Sequence, residues 1–284
     1  KIFYAVSVSA CIGLFFQIAS DSYEKKETMK NSITYPPLQQ IRQTKRVDWY
    51  RSPIDPKQLR LLMQRSDTKG LFQTVGALIL VSGSAVLSYY LFLQQSWIAF
   101  GITFFLHGTM ASIYVSGGHE LDHGTVFKTR WVNRFFLKIY ALLSWFNFHD
   151  YALSHTYHHR YTLHPTGDRE VVLPQSPILR FWWLIQLFTI NITGGPMAAG
   201  LIITIRETVR NTLNRPLSGC LEPDGYDQSP NSLEWIAALY LAHPEERKKS
   251  VCWSRIMLLF HGLVIVIAVL SGFWLLPVFV SLNT

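Results

Sequence analysis

The chain has 284 residues, of which 49% are hydrophobic and only 15% are charged, below the charged share of about 25% that is usual for soluble domains. Its net charge of +8 does not indicate nucleic-acid binding, because 12 of the 26 basic residues precede residue 70 and most others flank apolar runs, as in the cytoplasmic loops of membrane proteins. Three cysteines without CxxC spacing imply no disulfide framework and no thiolate metal site.

The first 70 residues divide into two segments. Residues 1–28 begin with an apolar run and end in a polar stretch, a pattern typical of a signal peptide, an extra anchor or an upstream segment foreign to the working protein. Residues 29–70 are polar and basic and contain prolines, so they predict a cytoplasmic arm with a short helix near KQLRLLMQR. We expect the membrane domain over residues 71–284.

A helical hairpin is predicted after this arm, because no charged residue lies between Lys69 and Glu120. This length accommodates two spans of about 20 residues each, over 71–94 and 98–116. With the basic arm inside, the chain returns to the cytoplasm at Gly117 and residues 118–177 are cytoplasmic. Residues 132–148 are apolar but carry two basic residues, which favours an amphipathic helix at the membrane surface.

The second half of the chain contains two more uncharged runs, 181–205 and 256–284. The first is interrupted by Gly194, Gly195 and Pro196, and residues 206–255 between the runs carry seven Lys or Arg. A re-entrant segment would keep that loop inside, so the topology of residues 178–255 stays open. Together the runs predict an all-α polytopic membrane protein. Because the sequence ends within an apolar run, we expect it to be cut short.

Histidines are concentrated in one stretch, since seven of the ten fall between His119 and His164. The motif HELDH places two of them four residues apart, and HTYHH at 155–159 places three at offsets of three and four. These spacings put side chains on one face of a helix. The two motifs therefore predict a metal site rich in imidazole.

Two metal chemistries fit HELDH. As HExxH it is the signature of a zinc protease with Glu120 as general base, but that site needs only three protein ligands and an open position for water. HTYHH has no role in such a site. Imidazole also binds iron, and iron with open positions handles O2. A cluster too rich in nitrogen for one tetrahedral ion favours two irons.

HELDHGTVF at 119–127 and HTYHHRYTLHP at 155–165 resemble the first two histidine boxes, HxxxH and HxxHH, of the membrane fatty acid desaturases. The order of the boxes, their spacing and their position after a spanning hairpin carry the resemblance, which covers roughly residues 70–284. It implies a non-haem di-iron enzyme that uses O2 to remove hydrogens from a fatty acyl chain. The iron ligands that it implies are His119, His123, His155, His158 and His159.

The family also has a third box, HxxHH or QxxHH, after its last spans, and these 284 residues contain none. We therefore expect the sequence to stop before it. HPTG at 164–167 is similar to the haem loop of cytochrome b5 but lacks its second glycine. The resemblance thus implies an external electron donor, either a cytochrome b5-type protein or a ferredoxin. The membrane is bacterial or that of the endoplasmic reticulum.

Several further side chains are candidates to support the ligands. Carboxylates often orient a ligand imidazole by accepting its other N–H, and the nearby candidates are Glu120, Asp122, Asp150, Asp168 and Glu170. His149 lies six residues before the second box. For this residue we favour the role of a plain interfacial histidine over that of a supporting residue. His107 and His261 lie within apolar runs, where we expect them to serve helix packing.

Two alternatives to a desaturase stay open at this point. HELxH also occurs in the first box of membrane alkane hydroxylases, so a hydroxylase acting on alkanes, lipids or carotenoids fits the same residues. A non-catalytic homologue or fragment that keeps two boxes without the third fits as well. The acyl carrier and the double-bond position are not encoded in any motif that we recognise.

Overall fold

The computed structural model describes residues 38–162, 164, 167–168, 200–215 and 238–282. The predictions for residues 1–28, for Glu170 and for most of the run 181–205 therefore lie outside the described residues. Regular secondary structure in the described segments is helical throughout, which confirms the predicted all-α class. The helices whose first and last residues are both described are α1 (Leu38–Thr44), α2 (Pro56–Leu62), α3 (Asp67–Leu93), α4 (Trp97–Ala111), α5 (Ile113–Asp122), α6 (Arg130–Leu143), α7 (Phe148–Tyr161), α8 (Leu201–Thr212), α9 (Pro244–Ser271) and α10 (Leu276–Ser281).

Three helical segments in the described part of the chain are long and apolar enough to cross a membrane, namely α3, the rod formed by α4 and α5, and α9. The first two are the predicted hairpin, and α9 contains most of the last uncharged run. Their outward side chains are exposed, as for Phe72 (83%), Ile98 (84%) and Leu270 (81%). Such a surface is stable against lipid, where helices satisfy their own backbone polar groups. The side of the membrane on which the loops lie stays a prediction.

The second span runs further than predicted. We expected it to end at residue 116, but after a break at Ser112 the helical rod continues to Asp122. No charged residue occurs between Lys69 and Glu120, so the apolar run itself extends to His119, and the helix continues through Gly117 and Gly118 despite their low helix propensity. His119 therefore lies on the same rod as the membrane span, and His123 follows its last residue.

The two intramembrane histidines have packing roles, as predicted. Nδ1 of His107 lies 2.9 Å from Oγ of Ser84 on α3, and its Nε2 lies 3.3 Å from the carbonyl oxygen of Phe279. Nδ1 of His261 lies 2.8 Å from Oγ of Ser281. Because polar groups in an apolar interior are costly without partners, these bonds specify how α10 packs against the spans.

Helix α6 has one buried and one exposed face, in agreement with the predicted amphipathic helix. Asn133, Phe136 and Tyr140 are buried, whereas Trp131 and Phe135 are exposed. The start of the helix is tied to α3, because the backbone N–H and the hydroxyl of Thr129 donate to the Asp67 carboxylate at 2.9 and 2.7 Å. Contact of its exposed face with the membrane surface stays a prediction.

The arm before the first span packs on the helix of the second box, which the sequence did not indicate. Leu38 and Ile41 of α1 are buried in one apolar cluster with Tyr157 and Tyr161 of α7. Nε1 of Trp49 donates to the carbonyl oxygen of Arg160 at 3.3 Å. The short helix predicted near KQLRLLMQR is present as α2, and none of its residues is buried.

Gly117 sets the distance between the first box and α6. A Cβ at Gly117 would lie 2.7 Å from Cε2 of Tyr140, and this ring cannot easily yield because its hydroxyl donates to the carbonyl oxygen of Thr74 at 3.0 Å. We expect Gly117→Ala to destabilise the protein by about 1–3 kcal/mol, as overpacking does. Thermal unfolding in detergent measures this loss.

Gly118→Ala is the matched control, since a Cβ there would meet only the Phe146 ring at 3.6 Å, an ordinary contact. It should unfold close to the temperature of the natural chain. Equal unfolding temperatures for the two alanine variants would contradict the role given to Gly117.

Candidate metal centre

Two helix ends bring the predicted ligands together. His119 lies in the last turn of α5 and His123 directly follows it, while the second box occupies the last two turns of α7. After His123 the chain turns away at Gly124, whose φ of +66° is in the region that favours glycine. Asn133 holds this turn from α6, because its Nδ2 donates to the carbonyl oxygen of Leu121 and its Oδ1 accepts from the N–H of Phe127.

Four of the five predicted ligands converge through their Nε2 atoms. Nε2 of His123 lies 3.1 Å from that of His119, 3.1 Å from that of His155 and 3.3 Å from that of His159. Nε2 of His159 lies 2.9 Å from that of His155. His155 is buried, whereas His123 and His159 are exposed, so one side of this four-histidine cluster is open.

These distances fit a metal ion. Metal–imidazole bonds of about 2.0–2.1 Å place neighbouring ligand nitrogens about 3.0–3.4 Å apart, close to the separations observed. N–H···N hydrogen bonds can satisfy only some of these pairs at once, because each neutral ring has one N–H, whereas a cation can accept a lone pair from all four nitrogens. The groups able to hold an ion include His119, His123 and His155, whose ligand atoms all lie within 4.8 Å of one another.

The electrostatics of His123 favour the neutral, metal-binding form. Partial desolvation of the imidazole, whose outer edge stays exposed, lowers the pKa of His123, and the neighbouring histidines, His119 before the others, lower it further. A ligand imidazole must be deprotonated at the nitrogen that binds. Its lowered pKa therefore keeps His123 ready for a cation at neutral pH.

The ring of His158, the fifth predicted ligand, lies beside those of His155 and His159, with centroids 5.3 and 5.7 Å away. Its Nδ1 lies 3.0 Å from Oδ2 of Asp168, whose side chain is 1% exposed. A carboxylate that accepts the N–H of one ring nitrogen leaves the other nitrogen for a metal. Asp168 was a predicted supporting carboxylate, and its position beside His158 fits that role.

The other predicted supporting residues have different surroundings. Glu120 is exposed, and its Oε1 lies 3.8 Å from Nε2 of His119, the nitrogen that faces the cluster. Its Oε2 accepts from the Thr125 hydroxyl at 3.2 Å. The His149 ring packs against Phe148 with ring centroids 4.3 Å apart, and burial lowers the pKa of His149.

A tyrosine occupies a position where we expect a carboxylate. The hydroxyl of Tyr151 lies 2.7 Å from Nδ1 of His119, and its ring stacks on that of His155 with centroids 4.6 Å apart. The partners predicted for the ligand histidines are acidic side chains, so they do not include a tyrosine. The spacing of four between Tyr151 and His155 could have placed it on the cluster's side of α7.

Asp150 belongs to a polar contact between helices. Burial raises the pKa of Asp150 to about 7. A hydrogen bond to Ser250 of α9 and a weaker attraction to Arg247 act in the opposite direction and lower this pKa. Within the described residues its Oδ1 is shielded from solvent and has no hydrogen-bond partner. The nearby Asn147 donates to Oγ of Ser250 at 2.8 Å. Asp150 thus joins α7 to α9.

The raised pKa of Asp150 predicts a pH-dependent stability. Because the folded-state pKa lies above the unfolded value of 3.8, this group's contribution is present at low pH and is lost as the pH rises through about 7. We compare the free energy of unfolding of Asp150→Asn with that of the natural chain. We expect this difference to favour the variant by roughly 2 kcal/mol more at pH 8 than at pH 5. Thermal unfolding of both chains in detergent at the two pH values measures the difference, and identical pH profiles would contradict it.

A cavity of about 400 Å³ adjoins the cluster. Its lining is formed by the end of the second span, the α6–α7 connection and the start of α7, through Ser112, Val115, Ser116, His119, Phe146 and Tyr151. His119 is therefore shared between the cluster and the cavity. A molecule in this space would lie directly against the His119 imidazole.

The four converging imidazoles do not fit the zinc protease alternative. A catalytic zinc has three protein ligands and an open position for water, whereas the second box here adds two imidazoles to the two of HELDH. Glu120, the general base of that scheme, lies beside His119 but faces solvent. The arrangement instead fits an imidazole-rich site for a metal such as iron.

Comparison with known proteins agrees with this geometry. A family model described as fatty acid desaturase matches residues 95–283, more than half of the chain, including both histidine boxes and the last span. Searches of curated proteins and of solved structures returned no match. With its spanning helices, its two boxes and this match, the chain belongs to the fatty acid desaturase family.

Proposed function

We propose that the protein is a membrane di-iron oxidoreductase that introduces a double bond into a fatty acyl chain. The observation that carries the proposal is the convergence of four Nε2 atoms within 2.9–3.3 Å at the end of a membrane-spanning rod. His119, His123, His155 and His159 would hold one iron. His158, oriented by Asp168, would contribute to the second through its Nε2 atom.

The cavity beside His119 supports an acyl substrate. Val115 and Phe146 provide apolar walls, while the Ser112 and Ser116 hydroxyls lie on the same rod. Because this rod is the membrane span, a chain could enter from the bilayer without crossing water. Burial of apolar surface favours binding by about 25 cal/mol per Å², so these walls favour an apolar chain over a polar ligand.

The reaction that we propose removes one hydrogen from each of two neighbouring CH2 groups. The saturated chain, O2, two protons and two electrons yield the alkene and two molecules of water, and the two hydrogens removed from the chain end up in the water. Bound iron supplies the activation of O2, and the protein supplies the ligands, the cavity and the position of the chain. The electrons come from an external donor, a cytochrome b5-type protein or a ferredoxin, and the site faces the cytoplasm.

Product analysis tests the proposal. The full natural chain, loaded with iron in lipid nanodiscs, is supplied with saturated acyl substrates on different carriers, with O2 and with each electron donor. Mass spectrometry should find products lighter by two hydrogens. Products heavier by one oxygen, with no new double bond, would make the protein a hydroxylase instead. Absence of both products from the iron-loaded chain would identify a non-catalytic homologue.

A further inference from the structure

Tyr151 connects the two histidine boxes and the cavity. It lies in the first turns of α7, one turn before His155, on whose ring its own ring stacks with centroids 4.6 Å apart and an angle of 22°. Its hydroxyl reaches across to the first box and lies 2.7 Å from Nδ1 of His119. On its other side the ring packs against Phe146, 4.9 Å between centroids, in the cavity wall.

The geometry defines the direction of the bond between these two side chains. Nε2 of His119 faces the cluster, 3.1 Å from Nε2 of His123, so a bound cation requires Nε2 to carry no proton. The proton of the neutral ring is then on Nδ1, which donates to the Tyr151 oxygen. An N–H held in this way fixes both the tautomer and the plane of a ligand imidazole.

We propose that Tyr151 is a positioning residue that keeps Nε2 of His119 directed at the metal. The inference rests on the metal centre in the proposed function and adds to it a side chain that no histidine motif indicates. Tyr151 acts through His119 and needs no contact with the ion. Its stacking on His155 also fixes the separation of the two boxes.

His119 needs such support more than the buried His155 does. Its side chain is 38% exposed and lines the cavity, so it is not packed on every side. Oε1 of Glu120 lies 3.8 Å from the same Nε2 that must bind the cation. A carboxylate there favours a proton on Nε2, which would remove this nitrogen from the ligand set. The Tyr151 oxygen favours the opposite tautomer by accepting from Nδ1.

The test compares two variants that each lose one phenol hydroxyl. Tyr151→Phe keeps the ring and its stacking. Tyr157→Phe is the matched control, because Tyr157 lies on the same helix and its hydroxyl lies 3.1 Å from Nε2 of another histidine, His243, outside the cluster. The full natural chain is freed of metal in detergent and titrated with Co²⁺ against a competing chelator, with the visible Co²⁺ bands as the signal.

We expect Tyr151→Phe to bind Co²⁺ about 10–100-fold more weakly, the usual cost of losing a hydrogen-bond partner of a ligand, and Tyr157→Phe to bind as the natural chain does. The hyperfine-shifted imidazole N–H signal of His119 should also exchange faster with solvent in Tyr151→Phe, a change that mere loss of packing would not single out. Unchanged Co²⁺ affinity in Tyr151→Phe would overturn the inference. A natural chain that binds no Co²⁺ would overturn the metal centre itself, and this inference with it.

Discussion

A His155→Ala variant should lose its iron and its activity. His155 is the buried member of the four-histidine cluster, and its Nε2 lies 3.1 Å from that of His123 and 2.9 Å from that of His159. In the proposed centre its removal takes away one ligand of the first ion, and it also removes the ring on which Tyr151 stacks. We expect at least a 100-fold fall in turnover, beyond the roughly 10–100-fold cost of losing a supporting residue. Iron analysis and product formation on the same preparation measure both losses.

His149→Ala is the control for this variant. His149 lies on the same helix, but its ring packs against Phe148 outside the cluster. It should keep its iron and most of its activity. If His155→Ala kept full iron and turnover while remaining folded, the cluster could not be the metal centre.

His158→Ala has the second largest expected effect, and it separates one ion from two. Nδ1 of His158 is bonded to Asp168, and in the proposed centre its Nε2 binds the second ion and not the first. Its loss should therefore leave the first iron in place, remove the second and abolish desaturation. Asp168→Asn should act in the same direction but more weakly, by about 10–100-fold in affinity for the second ion.

Iron analysis and Mössbauer spectroscopy check this prediction in the full natural chain. The expected result for His158→Ala is one iron per chain with no magnetic coupling to a second. Retention of two coupled irons would show that His158 is not a ligand. Loss of both irons would show that the two sites are not separable in the way that the geometry indicates.

Features that depend on local periodicity can be predicted from the sequence. Long uncharged runs specify spans, and histidines at offsets of three and four share a helix face, so the hairpin and both boxes follow from the order of residues alone. What such patterns lack is the three-dimensional relation between segments. The contact of Tyr151 with His119 joins residues 32 positions apart, and the packing of Ile41 on the box helix joins still more distant ones.

The position of each predicted supporting carboxylate relative to the histidines depends on helix geometry and on the path of the chain after the helix. Glu120 is the sequence neighbour of His119, but adjacent residues on a helix point in different directions, and Glu120 faces solvent. Asp150 precedes His155 by five residues, which is about 140° around the helix, and it faces Ser250 instead. Asp168 follows the helix, and the returning chain brings it to His158.

The central claim is that the histidines form a di-iron centre, and metal analysis of the full natural chain tests it most directly. The protein is purified in detergent from iron-supplied cells, its metals are counted per chain, and Mössbauer spectra are recorded. We predict close to two irons per chain with the spectrum of a coupled non-haem pair, and loss of that signal in His155→Ala. One zinc per chain, or no metal bound in competition with a chelator, would contradict the account.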